Sequence, residues 1–346
     1  MISPRRRPPW WKARLAMGLV VASVMTHHFW ADRIKDALGL GNAYVPAKGD
    51  RLRIVSWNLG NFPREHQDLL RLHDWVERAD PDVLAVQEIR DTQRLRELFP
   101  AWELFISEAG GRGHQRLGFM WKRDQVQLLE EPREHHEITS SGRVRPAVSA
   151  YLRALPDGPD FHLIVVHLKA RPQGYALRQK QWLVLQELVT ERIADLGDPH
   201  NLTGPPNPHD ELDLLDLPDG DLVILGDFNV TGGKDRDASA EMVQLEHALG
   251  QVGLTRVPTT MDCSAYWDGS RRDAWKEASL LDLVWVRDLQ ESFDADVRAR
   301  PLAHCARHAC ANFRSTKTYP ERDYATVSDH CPVMVDLHRG EDDDTR

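Results

Sequence analysis

Apolar runs in this chain follow two rhythms, and the rhythms predict its elements. Residues 222–225 are continuously apolar without helical spacing, as in a strand buried on both faces, and 280–286 form another such strand around Asp282. Residues 83–86 make an apolar strand ending in Gln87 and Glu88, and 51–57 alternate as a strand ending in Asn58 before a Gly-Asn-Phe-Pro turn. Further strands are expected at 102–107, 117–121, 125–129, 148–152, 161–167 and 332–337. The other rhythm is helical. Leu69, Leu72, Trp75 and Val76 place a helix over 65–78, and Trp182, Leu185, Leu188 and Val189 a longer one over 172–193, with a third at 238–249. Strands interleaved with few helices fit an α/β four-layer sandwich, two packed, mostly antiparallel sheets flanked by helices. No strand–helix alternation persists long enough for a Rossmann sheet, and no Gly-rich phosphate loop is present.

Composition adds bounds. The 346 residues, 41% hydrophobic, suffice for one large core or two ordinary ones. A formal net charge of −9 argues against a broad basic surface for duplex nucleic acid but leaves room for a local basic groove or a bound cation. The four cysteines are too few for a disulfide scaffold and none has zinc spacing. Cys305 and Cys310 are placed to bridge a short loop in an oxidising compartment, whereas Cys331 reads as a small buried hydrophobe.

The organisation expected is a signal or anchor at 1–30, a linker at 31–50, a catalytic domain at 51–338 and a charged tail at 339–346. Arg5, Arg6, Arg7, Lys12 and Arg14 precede an apolar run at 15–25, an export signal in outline and short for a membrane span. The expected location is secreted, periplasmic or membrane-anchored, with the catalytic domain outside the cytoplasm. The stretch 195–220, dense in Asp, Pro and Gly, reads as an exposed acidic insertion.

Polar groups recur where strands begin or end: Asn58, Glu88, His167, Asp227 with Asn229, and Asp329 with His330. Extended-chain alternation after residue 225 sends Asp227 and Asn229 to one side, with Gly226 easing the turn. An ordinary Asp–Asn turn accounts equally well for that pair alone, and a satisfied structural histidine for His167 alone. Asp282 is harder to explain structurally, because a buried unpaired carboxylate is costly. Together the groups suit phosphodiester hydrolysis, which needs charge neutralisation, a base for water and hydrogen bonds to phosphate.

In this order, Trp57-Asn58, Gln87-Glu88, Val166-His167-Leu168, Gly226-Asp227-Phe228-Asn229, Leu281-Asp282-Leu283-Val284 and Ser328-Asp329-His330 resemble the endonuclease/exonuclease/phosphatase superfamily, the deoxyribonuclease I-like group. The resemblance covers about residues 51–337. It implies Mg²⁺, with Mn²⁺ as the alternative, held by Glu88 with Asn58 and Asp329. It also implies His330 as general base oriented by Asp282, Asp227 orienting the attacking water or stabilising the leaving group, and Asn229 and His167 at the phosphate. Arg145 is expected to reach the phosphate, with Arg143 as competitor. Lys169 and Arg171 are expected on the substrate-side loop. With Tyr175, Arg178 and the Trp267 to Trp275 loop they would form a rim for a nucleic-acid strand. The implied substrate is DNA or RNA, the alternative a phospholipid head group or phosphorylated small molecule, and no obligate protein partner is implied. The exonuclease III type has an Asn-x-Tyr-x-Pro element where this chain has Val165-Val-His-Leu-Lys169, so an abasic-site repair role is not supported. A non-catalytic module would be expected to have lost one of the central residues.

Overall fold

A computed structural model describes residues 45, 48–156, 158–196, 220–233, 237–267, 273–289 and 297–339. The expected signal at 1–30, nearly all of the linker before 48, most of the acidic insertion, Arg271 and Arg272, and the tail after 339 lie outside the described residues.

The strands are β1 (Arg51–Phe62), β2 (Val83–Ile89), β3 (Glu103–Ile106), β4 (Arg116–Trp121), β5 (Val126–Leu128), β6 (Arg133–His135), β7 (Ala147–Ala154) and β8 (Asp160–His167). They continue with β9 (Leu222–Asp227), β10 (Thr255–Arg256), β11 (Trp275–Lys276), β12 (Asp282–Arg287), β13 (Arg300–Pro301), β14 (Phe313–Arg314) and β15 (Val333–His338). One sheet runs β13-β15-β1-β2-β4-β3, the other β10-β12-β9-β8-β7-β5 with β6 also on β7, and β11 pairs with β14 apart from both. Only β1–β2 and β8–β9 are parallel among these pairs. The sheets are therefore mostly antiparallel.

Continuous apolar runs arise because the strands are covered on both faces. Along β8, Leu163 and Val165 face the core between the sheets, where they join Leu52, Ile54, Ala85 and Phe119 of the first sheet. Their alternates Ile164 and Val166 pack against Trp182, Leu185 and Val189 of the Tyr175–Leu196 helix and Leu245 and Leu249 of the Ala238–Gly250 helix. Strand β9 repeats this with Val223 and Leu225 inward and Leu222 and Ile224 outward. Each such side chain stabilises the fold by roughly 1.5–3 kcal/mol on burial.

Local expectations fail where the backbone leaves regular geometry. The turn expected after Asn58 is an irregularity inside β1, which shifts register and resumes pairing at Phe62. Gly60 and Asn61 take φ of 61° and 62° there. The first helix begins at Leu69, not 65, with the Asp68 side chain capping Arg71 N. The long helix begins at Tyr175 after a 3₁₀ turn at Pro172–Gly174 and extends to Leu196, into the start of the expected insertion. Helices at Thr92–Leu98 and Ala303–His308 have too few residues to show a period. Gly226 eases no turn: it lies inside β9 at φ 135°, and a Cβ there would come within 2.0 Å of the Val166 carbonyl oxygen.

The cysteine expectation is also corrected. Cys305 pairs with Cys331, and Cys310 with Cys263. Proximity in sequence misled because the chain just before the Ala303–His308 helix bonds to Pro332, ahead of β15, which sets the Cys305 N–H 3.1 Å from Cys331 Sγ. Two disulfides point to an oxidising, extracytoplasmic compartment. Among the described residues no helix is long and apolar enough to cross a membrane.

An ion-pair network fastens the segment before His330. Asp323 accepts from Arg71, from Arg307 Nη2 at 2.7 Å and from Trp75 Nε1 at 3.0 Å. Burial opposes its charge, but the two guanidiniums win and hold the carboxyl down at about 2. A carboxyl depressed below its unfolded value near 3.8 stabilises the fold above that pH and loses the effect as pH falls through about 2. The contribution is about 2 kcal/mol. Urea unfolding at pH 6 and pH 3 is expected to show a smaller acid loss for Asp323→Asn than for the native chain.

Candidate active site

Both sheets deliver side chains to one end of the sandwich. On the second sheet, His167, Asp227 and Asp282 sit side by side, since β8–β9 pairs His167 with Asp227 and β9–β12 pairs Asp227 with Asp282. On the first, Asn58 ends the regular part of β1, Glu88 lies near the end of β2, and Asp329 and His330 precede β15. Asn58 Nδ2 donates to Asp227 Oδ2 at 3.1 Å and so ties one sheet to the other.

Local backbone devices aim these groups. Glu88 adopts φ 62° at a register shift between β2 and β4, a bulge that turns its side chain away from strict alternation with Gln87. Asn229 adopts φ 54° just beyond β9, and its N–H donates to Asp227 Oδ1 at 2.9 Å. Asp227 and Asn229 are therefore placed by a left-handed Asx turn, which an asparagine tolerates, and not by extended-chain alternation. The Asn229 side-chain amide donates to the Leu168 carbonyl at 3.3 Å.

His330 Nδ1 lies 2.8 Å from Asp282 Oδ2, and its Nε2 lies 3.8 Å from Asp227 Oδ2. Burial works against the imidazolium, yet Asp282 and Asp227 outweigh it and raise the His330 pKa well above its ordinary value. Burial, with the Asp282 and Glu88 charges, pushes Asp227 up to about 7 against the opposing effect of His330. His167 Nε2 is 3.3 Å from Asp227 Oδ2, and its buried Nδ1 has no hydrogen-bond partner among the described residues. Burial first, then Arg145 and His330, keep His167 neutral.

Ser264 escaped the sequence reading. Its hydroxyl donates to Asp282 Oδ2 at 2.8 Å and accepts the N–H groups of Leu281 and Asp282. Only the fold brings residue 264 to β12, and one serine in a loop carries no pattern. Trp57 Nε1 donates to the His330 carbonyl at 3.0 Å, and the Ser328 hydroxyl accepts the His330 N–H at 3.1 Å. The imidazole is thus held through its ring and its backbone.

Three oxygen-bearing residues suit a hard cation. Glu88 is raised by burial and then by the Asp329 charge, so its carboxylate is under-compensated by the protein alone. Asp329 lies beside it, and Asn58, whose Oδ1 accepts the Gly60 N–H at 3.1 Å, also hydrogen-bonds Glu88 through its side chain. These groups fit a divalent cation in donor type and charge. The donor atoms of Asp227, Asp282 and His330 also lie within 4.8 Å of one another, but a cation there would compete with the hydrogen bond between Asp282 and His330. His304, Cys305 and Cys331 converge as well, with both sulfurs committed to their disulfide.

The basic residues divide. Arg145, 8% exposed, places Nη1 3.5 Å from the His167 carbonyl and Nη2 3.3 Å from Gln115 Oε1. Lys169 and Arg143 line the adjoining cleft, whereas Arg171 is exposed and outside that lining. Arg178 belongs to no rim. It is fully buried, paired with Glu241 at 2.5 and 2.7 Å and donating to the carbonyls of Lys169, Arg171 and Gly232. Tyr175 packs edge-on against Trp182 and donates to Gln244. Removing one partner of a buried pair strands the other, so Arg178→Ala is expected to cost about 3 kcal/mol or more in urea unfolding.

The fold is shared with solved structures. TDP2 of D. rerio, complexed with a single-strand DNA product, matches with TM-score 0.54 and 16% identity over 83% of this chain and 98% of its own. A mannosyl-6-phosphatase from Bacteroides thetaiotaomicron matches with TM-score 0.51 and 17% identity over 83% and 99%. The human Nocturnin catalytic domain with a bound sulfate anion matches with TM-score 0.50 and 14% identity over 83% and 94%. No curated protein sequence matches the chain. The model of the Endonuclease/Exonuclease/phosphatase family matches residues 55–330, from inside β1 to His330 itself. The chain belongs to the endonuclease/exonuclease/phosphatase family of phosphoesterases.

Proposed function

We propose that this chain is a divalent-metal-dependent phosphodiester hydrolase that attacks phosphorus with water activated at His330. The observation that carries this is the His330–Asp282 pair, 2.8 Å apart and buried, with Nε2 left facing Asp227 across the site. Asp282 fixes the tautomer by accepting from Nδ1, so Nε2 is the atom that takes the proton from water. Asp227, bound by Asn58 and Asn229, orients that water or steadies the leaving oxygen. Neutral His167 donates to a phosphate oxygen, and Arg145 offers charge to the same group. Glu88, Asp329 and Asn58 would hold Mg²⁺ or Mn²⁺, which supplies positive charge against the phosphate and offsets the carboxylates that keep His330 protonated. Export or anchoring through residues 1–30 would place this site outside the cytoplasm.

The substrate reading first expected is DNA or RNA, and the structure of TDP2 with a DNA product is a precedent within the fold. The expected aromatic and basic rim is weakened, since Arg178 and Tyr175 turn inward. That favours the second substrate reading, a phosphorylated small molecule or phospholipid head group. The test is hydrolysis of bis(p-nitrophenyl) phosphate, plasmid DNA, single-stranded DNA and RNA by the full-length chain, with Mg²⁺ and with EDTA. Metal-dependent cleavage of the reporter is expected, and EDTA is expected to abolish it. A folded chain that cuts none of these would overturn the diesterase proposal.

A further inference from the structure

Beside the catalytic groups lies a cleft of about 650 Å³ whose lining includes five cations, Arg112, Arg143, Arg145, Lys169 and Lys180, and no carboxylate. In a chain where 53 acids outnumber 44 lysines and arginines, that is a concentrated departure from the whole. The cations come from three places: Arg112 from the turn before β4, Arg143 and Arg145 from the approach to β7, and Lys169 and Lys180 from the β8 end and the following helix. Arg112, Arg143 and Lys180 form no ion pair with a described carboxylate. Arg145 belongs to the cleft and the catalytic centre at once, because it faces the Glu88 and Asp227 charges. Lys169 is held at the wall by close packing: a Cβ on Gly174 would come within 2.6 Å of its Cγ. Burial, and the charges of Arg145, Arg171 and Arg178, disfavour its ammonium. An anionic ligand would relieve the repulsion among cations gathered in one cleft.

The remaining lining narrows the ligand. Gln115, Gln173 and Ser140 offer amides and a hydroxyl, and no aromatic ring lines the cleft. Single-stranded nucleic acids are gripped by stacking bases on such rings. Phosphates and sugar-like hydroxyls need only charge and hydrogen bonds. A volume in the range of small-molecule sites accommodates a compact molecule.

We infer that this cleft binds a second phosphate of the substrate, so that the natural substrate is a small, hydroxyl-bearing phosphoester carrying two phosphates. The inference rests on the phosphoesterase reading of the adjoining centre. Hydrolysis there consumes one water and breaks one P–O ester bond. The oxygen of water goes to phosphorus, its proton to the alcohol released, and the second phosphate stays esterified.

The test is calorimetric binding of fructose 1,6-bisphosphate, fructose 6-phosphate and a ten-residue oligothymidylate to the full-length chain, in EDTA so that nothing is hydrolysed. The bisphosphate is expected to bind about tenfold more tightly than the monophosphate, as one added charge-assisted contact provides. That advantage is expected to vanish in Arg143→Ala/Lys180→Ala, with Lys180→Gln alone as the milder change should the double variant fold poorly. Equal affinities for the two sugars, or an advantage that survives in every folded variant, would overturn the inference. Tighter binding of the oligothymidylate would overturn it too and give the cleft to a nucleic-acid strand. Hydrolysis of p-nitrophenyl phosphate and of bis(p-nitrophenyl) phosphate is measured separately with Mg²⁺, so a dead catalytic centre is distinguishable from a cleft that binds no second phosphate.

Discussion

His330→Ala is expected to lower kcat on bis(p-nitrophenyl) phosphate by about 10²- to 10⁴-fold, the range a positioned general base contributes. The loss arises because Nε2 faces the site while Nδ1 is anchored to Asp282, so no other described group replaces that atom. Asp227 is the nearest alternative, 3.8 Å away, but it already accepts from Asn229 and Asn58. Asp282→Asn should produce a loss of similar order, since an amide at that position presents a donor or a weaker acceptor to Nδ1 and undermines the tautomer. Residues acting as one unit are strongly non-additive, so the double variant should be scarcely worse than His330→Ala alone. Ser264→Ala, which removes one donor to the Asp282 carboxylate, should cost less, about tenfold to a hundredfold, as for a single hydrogen bond to a charged group. Circular dichroism would verify folding of each variant. A His330→Ala enzyme within tenfold of the native rate would overturn the assignment of the base.

What the sequence revealed, and what it concealed, follows from the range of the interactions involved. Strand-end chemistry was legible because β8, β9 and β12 are buried on both faces, so an Asp or His interrupting an apolar run stands out. Asp282 illustrates this best: its neighbours are apolar and its burial complete. Placement on adjacent strands then follows from register, which a continuous apolar pattern does not state. Arg178 misled for the same reason: a cation in a helical stretch looks solvated until Glu241, 63 positions away, is found beside it. Gln115, bridging Asn61 and Arg145, and Ser264 under Asp282 lie in loops with no period to read. The bulge at Glu88 is a two-strand property, invisible in either strand alone. The expected helical start at 65 failed because Asp68 caps three residues later, and a cap is decided by backbone geometry.

Loss of both disulfides is expected to destabilise the fold by about 5 kcal/mol and to lower activity with it. Cys263–Cys310 closes 47 positions and Cys305–Cys331 closes 26, which in the chain-entropy account contribute about 4 and 3.5 kcal/mol. Those values do not add, because the two loops overlap between 305 and 310 and closing one already restricts the other. The activity loss has a structural route. Cys331 follows His330 directly, its N–H donates to the Ser264 carbonyl at 2.8 Å, and Cys263 precedes the serine that supports Asp282. Both members of the His330–Asp282 pair therefore lean on a cluster of Cys263, Tyr266, Cys305, Phe313 and Cys331. Urea midpoints and reporter hydrolysis would be compared for the native chain, Cys263→Ala/Cys310→Ala, and Cys305→Ala/Cys331→Ala. The second pair should lose more activity for a given loss of stability, because its bond is adjacent to His330. Unchanged midpoints after full reduction, confirmed by thiol titration, would mean that the packing of this cluster alone holds the His330 segment.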